Sequence, residues 1–123
     1  MRVPALRLLF LAGAMAVGFP AAQAASFDCS KAATPDEIAV CSNPDLSNLD
    51  TQMATLYSVR MEIPMLMGVK GAAQDEQVDF LKTRGQCGSD VACLTSAYQA
   101  RIGVLNQTIS AAMQDYCVKL GIC

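Results

Sequence analysis

Residues 77–105 read QVDFLKTRGQCGSDVACLTSAYQARIGVL, and the reading of this stretch decides the fold. Gln77, Phe80, Leu81 and Arg84 recur at intervals of one to four, which places them on one side of a helix. Leu94, Tyr98, Arg101, Ile102 and Leu105 do the same after a break. Between the two runs Gly85 and Gly88 give a helix stop and Ser89-Asp90 a helix start, with Cys87 and Cys93 flanking the turn. The result is a helical hairpin stapled at its turn, and the rest of the chain is arranged around it.

Upstream, Thr34-Pro35-Asp36-Glu37 carries a cap, a proline suited to the first helical position and the glutamate of a capping box, so a short helix should run to about Cys41. Asn43-Pro44 starts another. Leu46, Leu49, Met53, Leu56 and Tyr57 give it an apolar side, and Pro64 ends it. The segment Pro64–Gly71 reads as a connection, unusual in being apolar and containing two glycines. Its Met65, Leu66, Met67 and Val69 either fold back over the end of the bundle, as adaptable methionines often do, or stand out with Lys70 as a partner-binding loop. The third helix should then run from about Ala72 to Arg84, with Gln74, Asp75 and Glu76 in its first turn, where negative charge suits the helix dipole. The fourth should start at Ser89 or Asp90 and carry its apolar side through Ile109, Ala112, Met113 and Tyr116. No useful strand-like alternation and no repeat interrupts this pattern, so the fold class is all-α: a small disulfide-stapled bundle of about four helices.

The N-terminus has Arg2 and Arg7, an apolar run from Leu8 to Val17 and the small-x-small signal Ala22-Gln23-Ala24. This predicts a cleavable export signal over residues 1–24, because the run is too short for a bilayer that needs about 20 apolar residues. No cysteine directly follows the site, as a lipid anchor would require, so a periplasmic or secreted protein without membrane insertion is expected. Residues 25–123 then form a single domain with seven basic against eleven acidic residues, a net charge of −4. That balance argues against a nucleic-acid partner and permits a cationic one.

All six cysteines, Cys29, Cys41, Cys87, Cys93, Cys117 and Cys123, lie beyond the signal. An even number in an exported chain reads as three disulfides. Six cysteines allow 15 pairings; proximity favours Cys29 with Cys41, Cys87 with Cys93 and Cys117 with Cys123. A metal is not expected, since no Cys-x-x-Cys occurs and export favours oxidation.

Histidine is absent, which removes the triads that rely on it and the commonest neutral-pH proton shuttle. The acids Asp75, Glu76 and Asp79 lie within one or two turns of one helix, whereas a glycosidase holds two carboxyls across a cleft. Neither catalytic residues nor a cofactor are expected. Arg84 and Arg101 share helix sides with apolar residues, so each wants a carboxylate or carbonyls, and Asp28 or Asp50 could supply the former. These four residues read as internal polar ties.

The order Phe27-Asp28-Cys29, Cys41, Leu49-Asp50, Tyr57, Gln77, Phe80-Leu81, Arg84, Cys87, Cys93-Leu94, Tyr98 and Arg101-Ile102 resembles the LprI-type lysozyme inhibitor domain, a family of small exported bacterial proteins. The resemblance runs from Phe27 to Leu105; the stretch from about 106, with Cys117 and Cys123, is an extension. It implies a helical periplasmic or secreted domain and, from the family's namesake, inhibition of lysozyme. The expectation is a non-enzymatic binding protein for a protein partner, a basic lysozyme whose cleft the 65–70 loop occludes. The alternative is an envelope interaction module with another partner.

Overall fold

The computed structural model describes residues 25–123; the expected export signal lies outside the described residues. A 3-10 turn at Cys29–Lys31 precedes four α-helices: α1 (Pro35–Ser42), α2 (Pro44–Glu62), α3 (Met67–Gln86) and α4 (Val91–Leu120). The described residues contain no strand, so the architecture is the expected all-α bundle.

The caps read from the sequence are in place at three helix starts. The Glu37 carboxylate accepts from the Ala33 and Thr34 N–H groups at 2.9 and 3.2 Å in the capping box of α1. Asn43 accepts from Asp45 and Leu46 at the head of α2, and Asp90 accepts from Cys93 at the head of α4. Gly88, at φ +55°, turns the chain from α3 into α4.

Helix α3 differs from expectation. It begins at Met67, five residues before the expected Ala72, on Leu66, which makes no side-chain cap. Two glycines, Gly68 and Gly71, lie in its first turns. Local preference therefore opposes this start. The helix is fixed from the buried Ala73 onward and propagates backward, since extending a formed helix is far easier than nucleating one. Asp75 and Glu76 consequently sit in the third turn and do not compensate the dipole.

Helices α2 and α4 run in the same direction: Asp50 meets Tyr98 near their starts, and Ile63 at the end of α2 lines a groove with Tyr116. Helices α2 and α4 pack directly on each other, and α3 runs back alongside them, its Phe80 ring 5.3 Å from that of Tyr98 in an edge-on contact. The core consists of Val40, Leu46, Met53, Phe80, Leu94, Tyr98, Ile102 and Leu105 with Ala39. On the apolar side expected for α4, Leu94, Tyr98, Arg101, Ile102 and Leu105 are buried, whereas its continuation through Ile109, Ala112, Met113 and Tyr116 is not; on α3 Phe80 and Arg84 are buried and Leu81 is exposed.

The three disulfides join the pairs that proximity favoured, with Cα–Cα separations of 5.7 Å for Cys29–Cys41, 5.5 Å for Cys87–Cys93 and 5.3 Å for Cys117–Cys123. Cys29–Cys41 ties the lead-in to α1, Cys87–Cys93 closes the α3–α4 turn, and Cys117–Cys123 folds the tail onto the end of α4. No helix among the described residues is long and apolar enough to cross a membrane.

Candidate functional site

Two regions concentrate chemistry. The first is a buried polar centre around Arg84, which is 8% exposed. Its Nε donates to Asp36 Oδ2 at 2.7 Å, its Nη1 lies 3.9 Å from Asp50 Oδ1 and 3.5 Å from the Tyr98 hydroxyl, and Glu37 stands at 4.0 Å. The guanidinium also covers the Phe27 ring, 5.5 Å from its centroid. Asp50 is fully engaged: it accepts from Tyr98 Oη at 2.8 Å and from the Ser26 N–H at 2.7 Å.

Sequence reading placed Arg84 and Asp50 in such a tie, and the structure brings them together. It does not bring Asp28 there. Asp28 accepts from the Ser30 N–H and hydroxyl and pairs with Lys31, so it caps the 3-10 turn. Asp36, read only as part of a capping box, supplies the closest carboxylate. The signal that could have found it is spacing: Asp36, Ala39, Val40 and Asn43 follow the helical period, which puts Asp36 on the inward side of α1. Arg101, on α4, is tied to α3: it donates to Gln77 Oε1 at 3.2 Å and Glu76 Oε2 at 3.3 Å, while its Nη2 has no hydrogen-bond partner.

Perturbed titrations mark the same centre. Burial alone would raise the Asp36 pKa, but the Thr34 hydroxyl and Arg84 outweigh it and hold the carboxyl below its ordinary value. Burial, aided by the neighbouring Asp50 carboxylate, pushes the Tyr98 hydroxyl well above the usual phenol range. Shifted groups often mark active sites. Here the shifted groups are closed off from solvent and bonded to one another, as structural ties are.

The second region is the bundle end where α2 turns into α3. Leu66 and Met67 are 81% and 91% exposed, and Val69 and Lys70 are exposed as well. The folding-back over the bundle is therefore overturned for Leu66, Met67 and Val69. Only Met65 turns inward, its sulfur accepting from Arg60 Nη1 at 3.2 Å. Nor is the segment a loop throughout: Met67, Val69 and Lys70 belong to the first turn of α3, so Met67 and Lys70 share one helix side, with Leu66 just ahead of it at the cap position. The corner thus carries an apolar knob with a cation beside it.

Grooves lie on both flanks of this corner. One, of about 570 Å³, is lined by Arg60, Ile63, Met65, Leu66, Val69 and the Tyr116–Lys119 end of α4. The other, of about 520 Å³, lies between Val59-Ile63-Pro64 and Met113, Leu120 and Ile122. Sequence reading missed these grooves because they form only when the ends of α2 and α4 come together. Exposed apolar surface of this kind, contributed by several elements, marks an interaction site more often than a catalytic one. Among the described residues no group of three or more cysteines, aspartates and glutamates is placed to hold a metal ion.

Comparison with protein-family models, with curated proteins and with solved structures gives no match to this chain.

Proposed function

We propose that this is an exported binding protein that inhibits a basic lysozyme by seating the α2–α3 corner in the enzyme's cleft. The observation that carries the reading is the exposed Leu66–Met67–Lys70 knob. Its apolar side chains suit sugar subsites, and the Lys70 ammonium suits a cleft that holds two catalytic carboxylates. The excess of acidic over basic residues in the chain beyond residue 24 favours encounter with a basic enzyme.

The resemblance to LprI-type inhibitor domains supports the same reading. The residues that carry it, Asp50, Phe80, Arg84, Tyr98 and the first four cysteines, build the core, the polar centre and two of the staples. They supply the scaffold, and the corner supplies the contact. Three disulfides suit an oxidising space such as the periplasm or the exterior.

Lysis of cell walls by lysozyme in the presence of the purified, oxidised protein tests the proposal. Inhibition is expected, and lysis that continues unchanged at tens of micromolar inhibitor would overturn it. Met67→Asp should weaken inhibition about tenfold or more, the worth of one well-buried apolar side chain, and Lys70→Ala should weaken it in a salt-dependent way. Inhibition that survives both changes would remove the corner from the interface. A second reading, an envelope interaction module for a different partner, is favoured by the apolar surface that continues past the corner to Met113 and Ile122. It requires undisturbed lysis together with a single protein captured through that surface.

A further inference from the structure

The Cys117–Cys123 disulfide stands apart from the other two. No residue of α4 beyond Leu105 is buried, Cys117 is half-buried and Cys123 is exposed. The end of the helix is already closed by its own backbone. Gly121 adopts φ +65°, and the Gly121 and Ile122 N–H groups donate to the Val118 and Cys117 carbonyls, each at 3.2 Å. Backbone bonds on so exposed a segment open readily, and the disulfide holds the segment against that opening. The bond thereby fixes the position of Ile122, which stands with Met113 and Leu120 across the 520 Å³ groove from Val59 and Ile63.

The one charged residue lining this groove is Glu62. It is exposed and makes no ion pair among the described residues. A purely hydrocarbon ligand would leave that carboxylate unmatched. An apolar side chain next to a cation, presented by a basic protein, matches both the wall and the charge.

We propose that the Cys117–Cys123 disulfide builds the second half of the binding surface, holding Ile122 as the outer wall of an apolar groove that receives an apolar side chain flanked by a cation on the basic partner. This deepens the lysozyme reading and rests on it. The tail is then a positioning element: with the bond gone, the Gly121–Cys123 segment frays and the groove loses a wall, while the core, which ends at Leu105, is untouched.

Two variants of the exported, oxidised protein, Cys117→Ser/Cys123→Ser and Glu62→Lys, test this against the parent. Three readouts are taken: calorimetric affinity for a basic lysozyme at low and high salt, fluorescence of the apolar dye anilinonaphthalene sulfonate, and the thermal midpoint. The double variant should lose dye binding and about tenfold in lysozyme affinity with a midpoint shift under about 3 °C. Glu62→Lys should keep dye binding and lose lysozyme affinity chiefly at low salt. Lysozyme affinity equal to the parent's in the double variant would overturn the inference and leave the lysozyme reading standing. A large fall in the midpoint would show a staple of the fold and also overturn it. Dye binding by the parent without any lysozyme binding would overturn both.

Discussion

Replacing Arg84 with methionine is expected to lower stability by about 3–5 kcal/mol, because it removes the cation from a buried cluster and leaves the carboxylates behind. Asp36 and Asp50 have side chains only 5% and 1% exposed, so neither can recover its lost partner from water. A small domain holds about 5–15 kcal/mol in all, so this one change uses up a large part of the margin. Urea unfolding of parent and variant gives the difference directly. A loss under about 1 kcal/mol would show that the cluster is peripheral to the fold.

The pH profile of stability should bear the same signature. The carboxyls of Asp36 and Glu37 are both held below their ordinary values, 3.8 and 4.5. For Glu37 the Ala33 and Thr34 N–H groups are the main cause. A lowered folded-state pKa contributes stability that is complete above the unfolded value and is lost as pH falls through the folded one. Tyr98 works in the opposite sense: its pKa is raised above 10.0, so its contribution is complete below that value and is lost as pH climbs. Stability should therefore stay level between roughly pH 5 and 9 and fall on both sides. Arg84→Met should shrink the acid limb, because Asp36 then has less reason to stay ionised.

The second large effect is expected at the lead-in. Removing the Cys29–Cys41 disulfide as Cys29→Ser/Cys41→Ser should cost about 2–5 kcal/mol. The bond closes a loop of sequence separation 12, and it anchors the segment that brings the Ser26 N–H to Asp50 and the Phe27 ring under Arg84. Loss of the bond frees the chain in the unfolded state and also opens one side of the polar centre. Denaturation of the double variant checks this, and a midpoint equal to the parent's would place the centre's rigidity elsewhere. The contrast with Cys117–Cys123 is physical: one disulfide braces residues that the core depends on, whereas the other braces residues beyond it.

Much of this fold is legible in the sequence, for identifiable reasons. Leu94, Tyr98, Arg101, Ile102 and Leu105 fall at helical intervals, and all five are buried. Thr34-Glu37, Asn43 and Asp90 announce helix starts because a cap is a local bond between near neighbours. The disulfide pairing is legible because each partner is close in sequence. The start of α3 is not, since Gly68 and Gly71 speak against a helix and no cap marks Leu66; its first turns form because the helix packs further along. Asp36 is hidden as a tie because its meeting with Arg84 spans 48 positions and needs the whole bundle. The candidate site divides in the same way. Met65, Leu66, Met67, Val69 and Lys70 stand out in the sequence as an apolar run where polar residues are usual. Their exposure, and the grooves completed by Tyr116 and Ile122, depend on how far α4 extends past the core.

The most direct test of the account, in which a rigid polar centre holds the scaffold and the bundle end does the binding, is hydrogen exchange measured residue by residue with and without a basic lysozyme. Slowed exchange is predicted over residues 59–70 and 113–123, with no change around Asp36, Arg84 and Tyr98, which are already protected. Protection confined to the α1 face, or no change anywhere in the chain, would contradict it.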